Sequence, residues 1–238
     1  MSTTRHTPFA AMSLLFLAAL APLHAMPIKF LPWDHDIAAR KIAFSNGKDV
    51  AEIQNLHPEK RSRAVAWAGG EVPPALVALD RTSPDGKPVT VPIRILAGMK
   101  TPLVLILPDR AAPSGLRCHV LEDDSSNFAW GALRFLNATG QEMLVRQDKA
   151  VKPLPPSWQP LDIHPGGDKR NIGIQMAAKA DLQTIVFSAV WEHDPEIRKL
   201  IIVIPGTEAQ STGVNLKIIP EDRRSAASAG DAPTTQSP

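Results

Sequence analysis

Residues 183–206 have the sequence QTIVFSAVWEHDPEIRKLIIVIPG, and the alternation within this stretch decides the predicted fold class. Apolar side chains recur at every second position in both halves: Ile185, Phe187, Ala189 and Trp191, then Leu200, Ile202 and Ile204. Successive side chains of a strand point to opposite faces, so each half has a face that can be buried. The polar segment around Pro195 predicts a turn, because proline donates no ladder hydrogen bond. We therefore predict two adjacent antiparallel core strands, residues 183–192 and 198–206.

The rest of the chain repeats this pattern of short strands and turns. Asn46-Gly47 predicts a tight hairpin, since both residues accept positive φ, and Ser83-Pro84-Asp85-Gly86 predicts a second turn. Residues 103–107, LVLIL, are continuously apolar and predict a strand covered on both faces. The sequence therefore predicts an all-β protein, an antiparallel β-sandwich of the immunoglobulin-like kind, built either as one sandwich or as two packed β halves.

Changes in composition predict the boundaries of two β regions and of a C-terminal tail. Residues 108–115, PDRAAPSG, predict a joint between an N-terminal β region, 26–112, and a C-terminal β-sandwich region, 113–220. Residues 221–238 are rich in Ser, Ala, Thr and Pro without apolar periodicity, which predicts a disordered tail.

The first 25 residues have the pattern of a cleaved signal peptide. Arg5 precedes residues 9–21, which are apolar except for Ser13, and Ala25 offers a small residue at the cleavage site. A membrane span needs roughly 20 apolar residues, so a stable membrane anchor is not expected. We expect export through the inner membrane, to the periplasm or to the extracellular space.

Composition limits the partners and the chemistry. Lys and Arg number 26 against 24 Asp and Glu, and the basic residues are not clustered, so a nucleic-acid partner is not expected. Cys118, the single cysteine, shares a strand face with Leu116 and Val120, which predicts a buried structural thiol and excludes an internal disulfide.

Several segments resemble a group of uncharacterised exported bacterial β-proteins. They are PSGLR at 113–117, EDD at 122–124, FAWGALRFLNATG at 128–140, and Trp191 with Asp194-Pro195 and Arg198 before the last long apolar strand. The apolar strand at 103–107 lies where that group also has one, so the resemblance covers most of the chain. It implies a secreted β-sandwich of unknown function and implies no catalytic residues.

Two sets of residues are candidate sites. Asp123 and Asp124 lie in a polar loop, EDDSSN at 122–127, whose oxygens suit a calcium-like cation, but a solvated surface loop explains them better because the spacing is not that of an EF-hand. Trp158, in a proline-rich loop, and Trp130, at a loop–strand boundary, are candidates for stacking on sugar rings.

The functional prediction follows from these observations. The sequence has no catalytic constellation, and we predict neither an enzyme nor a bound cofactor. We expect a non-catalytic exported β-sandwich protein, a binding or assembly component of the envelope or extracellular space, whose partner is an envelope protein or a polysaccharide. The alternative is a carbohydrate-binding module using Trp130 and Trp158.

Overall fold

The computed structural model of the chain describes residues 25–206 and 213–230, and it shows an all-β protein. No helix within these residues is long and apolar enough to cross a membrane. The predicted signal peptide lies almost entirely outside the described residues, as do residues 231–238 of the predicted tail.

Sixteen strands and two short helices make up the described chain. Their bounds are β1 Met26–Pro32, α1 His35–Ala38, β2 Ile42–Ser45, β3 Val50–Glu52, β4 Val65–Trp67, β5 Ala75–Thr82, β6 Pro88–Pro92, β7 Pro102–Pro108, β8 Leu116–Glu122, β9 Leu133–Asn137, β10 Met143–Gln147, β11 Ala150–Leu154, β12 Leu161–Ile163, β13 Arg170–Ala178, β14 Asp181–His193, β15 Ile197–Pro205, β16 Val214–Asp222 and α2 Arg223–Gly230.

The strands form four sheets, and the connectivity of the first eight strands is repeated in the second eight. The first repeat, residues 26–122, contains the sheets β4-β1-β7-β8 and β3-β2-β5-β6. The second repeat, residues 133–222, contains β12-β9-β15-β16 and β11-β10-β13-β14, which is the same order with eight added to every strand number. Each repeat also has one parallel pair at the same place, β1 with β7 and β9 with β15.

Three apolar layers hold the four sheets together. One layer fills the first repeat and another fills the second. The third lies between the repeats and joins β4-β1-β7-β8 to β12-β9-β15-β16, which we call the central sheets. Val104 and Ile106 of β7 face the interior of the first repeat, whereas Leu103, Leu105 and Leu107 face the second repeat. The prediction of a strand covered on both faces at 103–107 is thus confirmed.

The predicted pairing of residues 183–192 with 198–206 is wrong. β14 pairs with β13 at the edge of an outer sheet, and β15 pairs with β9 and β16 in a central sheet. The segment around Pro195 is therefore a corner between two sheets, where the composition had predicted a hairpin turn. Phe187 is half-buried at the edge, while Ile202 is only 1% exposed in the layer between the repeats.

Two boundary predictions also differ from the structure. Residues 108–115 form the loop of the β7–β8 hairpin, inside the first repeat, and the chain passes to the second repeat only after β8. At the other end, β16 continues to Asp222 and α2 follows directly, so residues 221–230 are not the predicted disordered tail. Polar composition alone does not separate a hairpin loop from a joint between two units.

We expect Ile202→Ala to lower the free energy of unfolding by about 2–5 kcal/mol, because the lost side chain leaves a cavity between the repeats. Ile185→Ala, at a position that is 50% exposed, should change it by no more than about 0.5 kcal/mol. Urea denaturation measures both values. Equal midpoints for the two variants would contradict the layer assignment.

Candidate functional site

Asp123 and Asp124, the predicted cation ligands, have different surroundings. The Asp123 carboxylate is 3% exposed and accepts hydrogen bonds from Arg61 at 2.8 and 3.0 Å and from Arg198 at 3.2 Å. Asp124 instead accepts from the backbone and hydroxyl of Ser126 in a turn, and these hydrogen bonds lower the pKa of its carboxyl. Within residues 25–206 and 213–230, no three His, Cys, Asp or Glu side chains are grouped to hold a metal ion. The arrangement therefore favours a structural role for Asp123 over the predicted cation site.

Asp123 belongs to a set of buried and partly buried charges between the repeats, which we call the junction network: Lys29, Arg61, Asp123, Arg198 and Glu221. Glu221 pairs with Arg198, and it lies 3.4 Å from Arg61 and 3.6 Å from Lys29. Burial alone would lower the pKa of the Arg61 guanidinium, but the Asp123 and Glu221 carboxylates together raise it above its usual value. Basic side chains of the first repeat are thus paired with an acidic side chain of the second.

Two arginines of the second repeat also hold the segment that connects the repeats. Arg198 donates 2.9 Å hydrogen bonds to the carbonyl oxygens of Asp123 and Phe128. Arg134 donates to the carbonyl oxygens of Glu122 and Asn127, and it pairs with Asp162. The fully buried Phe128 ring contacts both guanidinium groups, at 4.4 Å from Arg134 and 4.9 Å from Arg198. Much of the FAWGALRFLNATG segment therefore positions one repeat on the other.

Trp158, a predicted sugar-stacking residue, is half-buried against the first repeat. Its ring contacts Trp33 and His119, with centroids 6.3 and 5.4 Å away, and Arg117 lies over it at 5.5 Å. Its φ of 59° is uncommon for a bulky residue, which indicates that these contacts determine the backbone there. The structure thus places Trp158 in the contact between the repeats.

Trp130, the other predicted sugar-stacking residue, lines a small pocket of about 180 Å³ together with His164 and His193. Arg198 lies over the indole ring at 4.7 Å. Ligand pockets usually have volumes of ~300–1,000 Å³, so this pocket has room for only a very small molecule. Trp130 and Trp158 are held by different contacts, and nothing in those contacts brings the two rings onto one face.

Cys118 is half-buried, where the sequence predicted full burial. Its side chain packs against the core of the first repeat and its Sγ donates to the carbonyl oxygen of Pro92 at 3.2 Å. Burial raises the pKa of the thiol, which lowers its reactivity at neutral pH.

The longest sheet edge in the described chain is β14, which carries exposed apolar side chains. Leu182, Ile185 and Val190 are 58%, 50% and 71% exposed. Its counterpart in the first repeat, β6, is far shorter and has proline at both ends, Pro88 and Pro92. Short strands and prolines protect an edge from pairing with other chains, and β14 has neither protection.

The backbone of β14 also presents hydrogen-bonding groups outward. The N–H of Gly173 in β13 donates to the Asp148 carboxylate, and the Gly173 carbonyl oxygen accepts from the Asp148 N–H. Asp148 directly follows β10, so both backbone groups of Gly173 point toward β10. Val190 lies opposite Gly173, and this pair is therefore of the non-hydrogen-bonded kind. The N–H and C=O of Val190 consequently point away from β13. The backbone of Glu192, two residues further on, has the same orientation: its carbonyl oxygen points away from β13 and accepts a hydrogen bond from the Lys199 side chain at 2.8 Å. We call this side of β14 the open edge.

The sequence contained a signal for the repeats that alternation alone did not show. LVLILP at 103–108 matches LIIVIP at 200–205 in pattern, and each is followed by a glycine before the next strand, Gly115 or Gly213. Those next strands, β8 and β16, end near Glu122-Asp123 and Glu221-Asp222. An internal comparison of the chain would have predicted two matching hairpins, and hence the central sheets.

We expect Asp123→Asn to lower the free energy of unfolding by about 3–5 kcal/mol, because it leaves Arg61 and Arg198 buried with less countercharge. Asp124→Asn is the matched control: it lies in the neighbouring exposed turn and keeps an acceptor for Ser126, so its effect should be small. Chemical denaturation measures both, and repeating it with calcium tests the cation prediction. Similar losses for both variants would contradict the junction role of Asp123.

We expect stability to fall below about pH 6.5 partly because of His119. Burial lowers the pKa of this imidazole, partly opposed by a hydrogen bond with the Trp158 backbone, and Arg117 lowers it further. The unfolded chain therefore binds a proton more readily, so the contribution of His119 is present above the unfolded pKa and is lost as the pH falls. His119→Gln should flatten the stability profile between pH 7 and 5, whereas the exposed control His164→Gln should not. An unchanged profile for His119→Gln would contradict this assignment.

Comparison with known proteins adds no relative. A scan against protein-family models gives no match, and a search of the curated proteins gives none either. The resemblance to exported bacterial β-proteins remains an expectation from the sequence.

Proposed function

We propose that this protein is a non-catalytic exported β-sandwich protein, a binding or assembly component of the envelope or of the extracellular space, which holds an extended polypeptide strand along the open edge of β14. The observation that carries the proposal is this edge, with outward backbone groups at Val190 beside exposed apolar side chains. Strand addition uses both features, because main-chain hydrogen bonds supply affinity and side-chain contacts supply specificity.

The charged residues support a binding role over a catalytic one. Asp123, which is buried, and Glu221, which is partly buried, are the carboxylates of the junction network, and each is paired with arginine between the repeats. Two four-stranded sheets packed face to face in each repeat support the sandwich architecture. An immunoglobulin-like sandwich is part of the proposal. The strand orders of the two repeats nevertheless differ from the A-B-E-D and C-F-G sheets of immunoglobulin constant domains. A carbohydrate-binding role for Trp130 and Trp158 is less well supported, since an arginine lies over each ring.

A synthetic strand tests the proposal. The probe is a fluorescently labelled peptide of alternating Val and Thr, with Lys at both ends to keep it soluble. We expect saturable binding, measured by fluorescence anisotropy at low protein concentration. Val190→Pro should weaken it about tenfold or more, because proline removes the outward N–H while the ladder to β13 remains.

Val190→Thr is the matched control, since it keeps the N–H and the β-branched shape and should retain most of the binding. A peptide of the same composition with a central proline should not bind. Equal binding by the Pro and Thr variants, or no binding by the wild-type protein at a concentration at which it is monomeric, would overturn the proposal.

A further inference from the structure

We infer that the strand held at the open edge is β14 of a second copy of this chain, paired antiparallel about a twofold axis at Val190. This inference rests on the proposed function, because it names the occupant of the same edge. The two outer sheets β11-β10-β13-β14 would then join into one sheet of eight strands. A contact of this kind is isologous, so the same surface must be complementary to itself.

The regular part of β14 has its midpoint at Val190. Residues 187–193 pair with β13 without a shift in register. The register shifts, as at a β-bulge, between Phe187 and Ile185, the residues opposite Met176 and Ala177. A bulge bends the strand and disrupts its ladder, so the straight segment available to a partner is 187–193. Antiparallel pairing of this segment with its own copy places Val190 opposite Val190 and Ser188 opposite Glu192.

The backbone groups agree with this register. The outward N–H and C=O groups belong to alternate residues, Val190 and its neighbours two positions away, Ser188 and Glu192. In the proposed register these residues face only one another, so outward N–H groups meet outward carbonyl oxygens. The Glu192 carbonyl oxygen already accepts from Lys199 of its own chain at 2.8 Å, and its second lone pair can accept from Ser188 of the second copy. A register displaced by one residue would pair outward groups with inward ones.

The side chains are also complementary. The two Val190 side chains would pack against each other, which removes from water the most exposed large apolar side chain in the part of the chain that the structure describes. The Glu192 carboxylate pairs with Lys169 of its own chain at 3.0 Å, and its remaining lone pairs can accept from the Ser188 hydroxyl of the second copy, a contact that the twofold axis makes twice. Asp181 and Glu192 are the carboxylates of β14, and in this register neither lies opposite a carboxylate. The first repeat has no equivalent surface, because Pro88 and Pro92 limit the β6 edge.

Sedimentation velocity of the purified protein over a range of concentrations tests the inference. The wild-type protein should form a dimer. Val190→Lys and Val190→Asp should each raise the dissociation constant about tenfold or more, because like charges then lie opposite each other at the axis. An equimolar mixture of the two variants should recover the dimer, since Lys then faces Asp. Thr90→Lys, on the β6 edge, is the control and should dimerise as the wild-type protein does.

The outcomes separate the two proposals. A wild-type protein that stays monomeric yet binds the synthetic strand overturns self-pairing and leaves the proposed function standing. A dimer that both Val190 variants leave intact, or that their mixture fails to recover, overturns self-pairing at this edge. A monomer that also fails to bind the strand overturns both.

Discussion

The layer of apolar side chains between the repeats is the constraint on which the rest of the structure depends. β7 and β15 lie in the central sheets and are buried on both faces. Along each strand, alternate side chains pack into the core of the strand's own repeat, and the others pack into the layer between the repeats. Burial of apolar area is the main favourable term in folding, and these strands contribute to two layers at once. The two repeats therefore share an apolar layer in addition to the core of each repeat.

The junction network gives this apolar contact a defined orientation. An apolar layer is tolerant of small displacements, whereas Asp123 needs Arg61 from one repeat and Arg198 from the other at hydrogen-bonding distance. Arg198 and Arg134 also donate hydrogen bonds to carbonyl oxygens of the segment that connects the repeats. Buried carbonyl oxygens need such partners. Charge pairing and backbone satisfaction thus fix the register in which the central sheets meet.

The two repeats have the same connectivity but different edges, and this difference is informative about function. β6 and β14 occupy matching places, yet β6 is limited by prolines and contacted by Cys118, while β14 is long and carries exposed apolar side chains. Edges of the second kind pair with other chains unless something protects them. This difference between the two edges is the basis of the proposed strand-binding role of β14.

The sequence by itself determined the strand-rich class, the turns at residues 46–49 and at Ser83–Gly86, and the double burial at 103–107, because alternation and turn chemistry are local properties. The tight two-residue turn predicted at Asn46-Gly47 is instead a four-residue loop, and of these two residues only Gly47 has a positive φ. Tertiary structure alone decided which strands pair. The composition of the segment around Pro195 suits a hairpin turn and a corner between two sheets equally well. The corner is decided by tertiary contacts: Trp191 packs on Phe135, and Ile202 packs between the repeats. Likewise Asp123 and Arg198 lie far apart in the chain, and nothing local to either residue predicts their contact. Local sequence identified the continuous apolar strand at 103–107, whereas the burial of β14 and β15 and the choice of neighbouring strands were decided by contacts between distant residues.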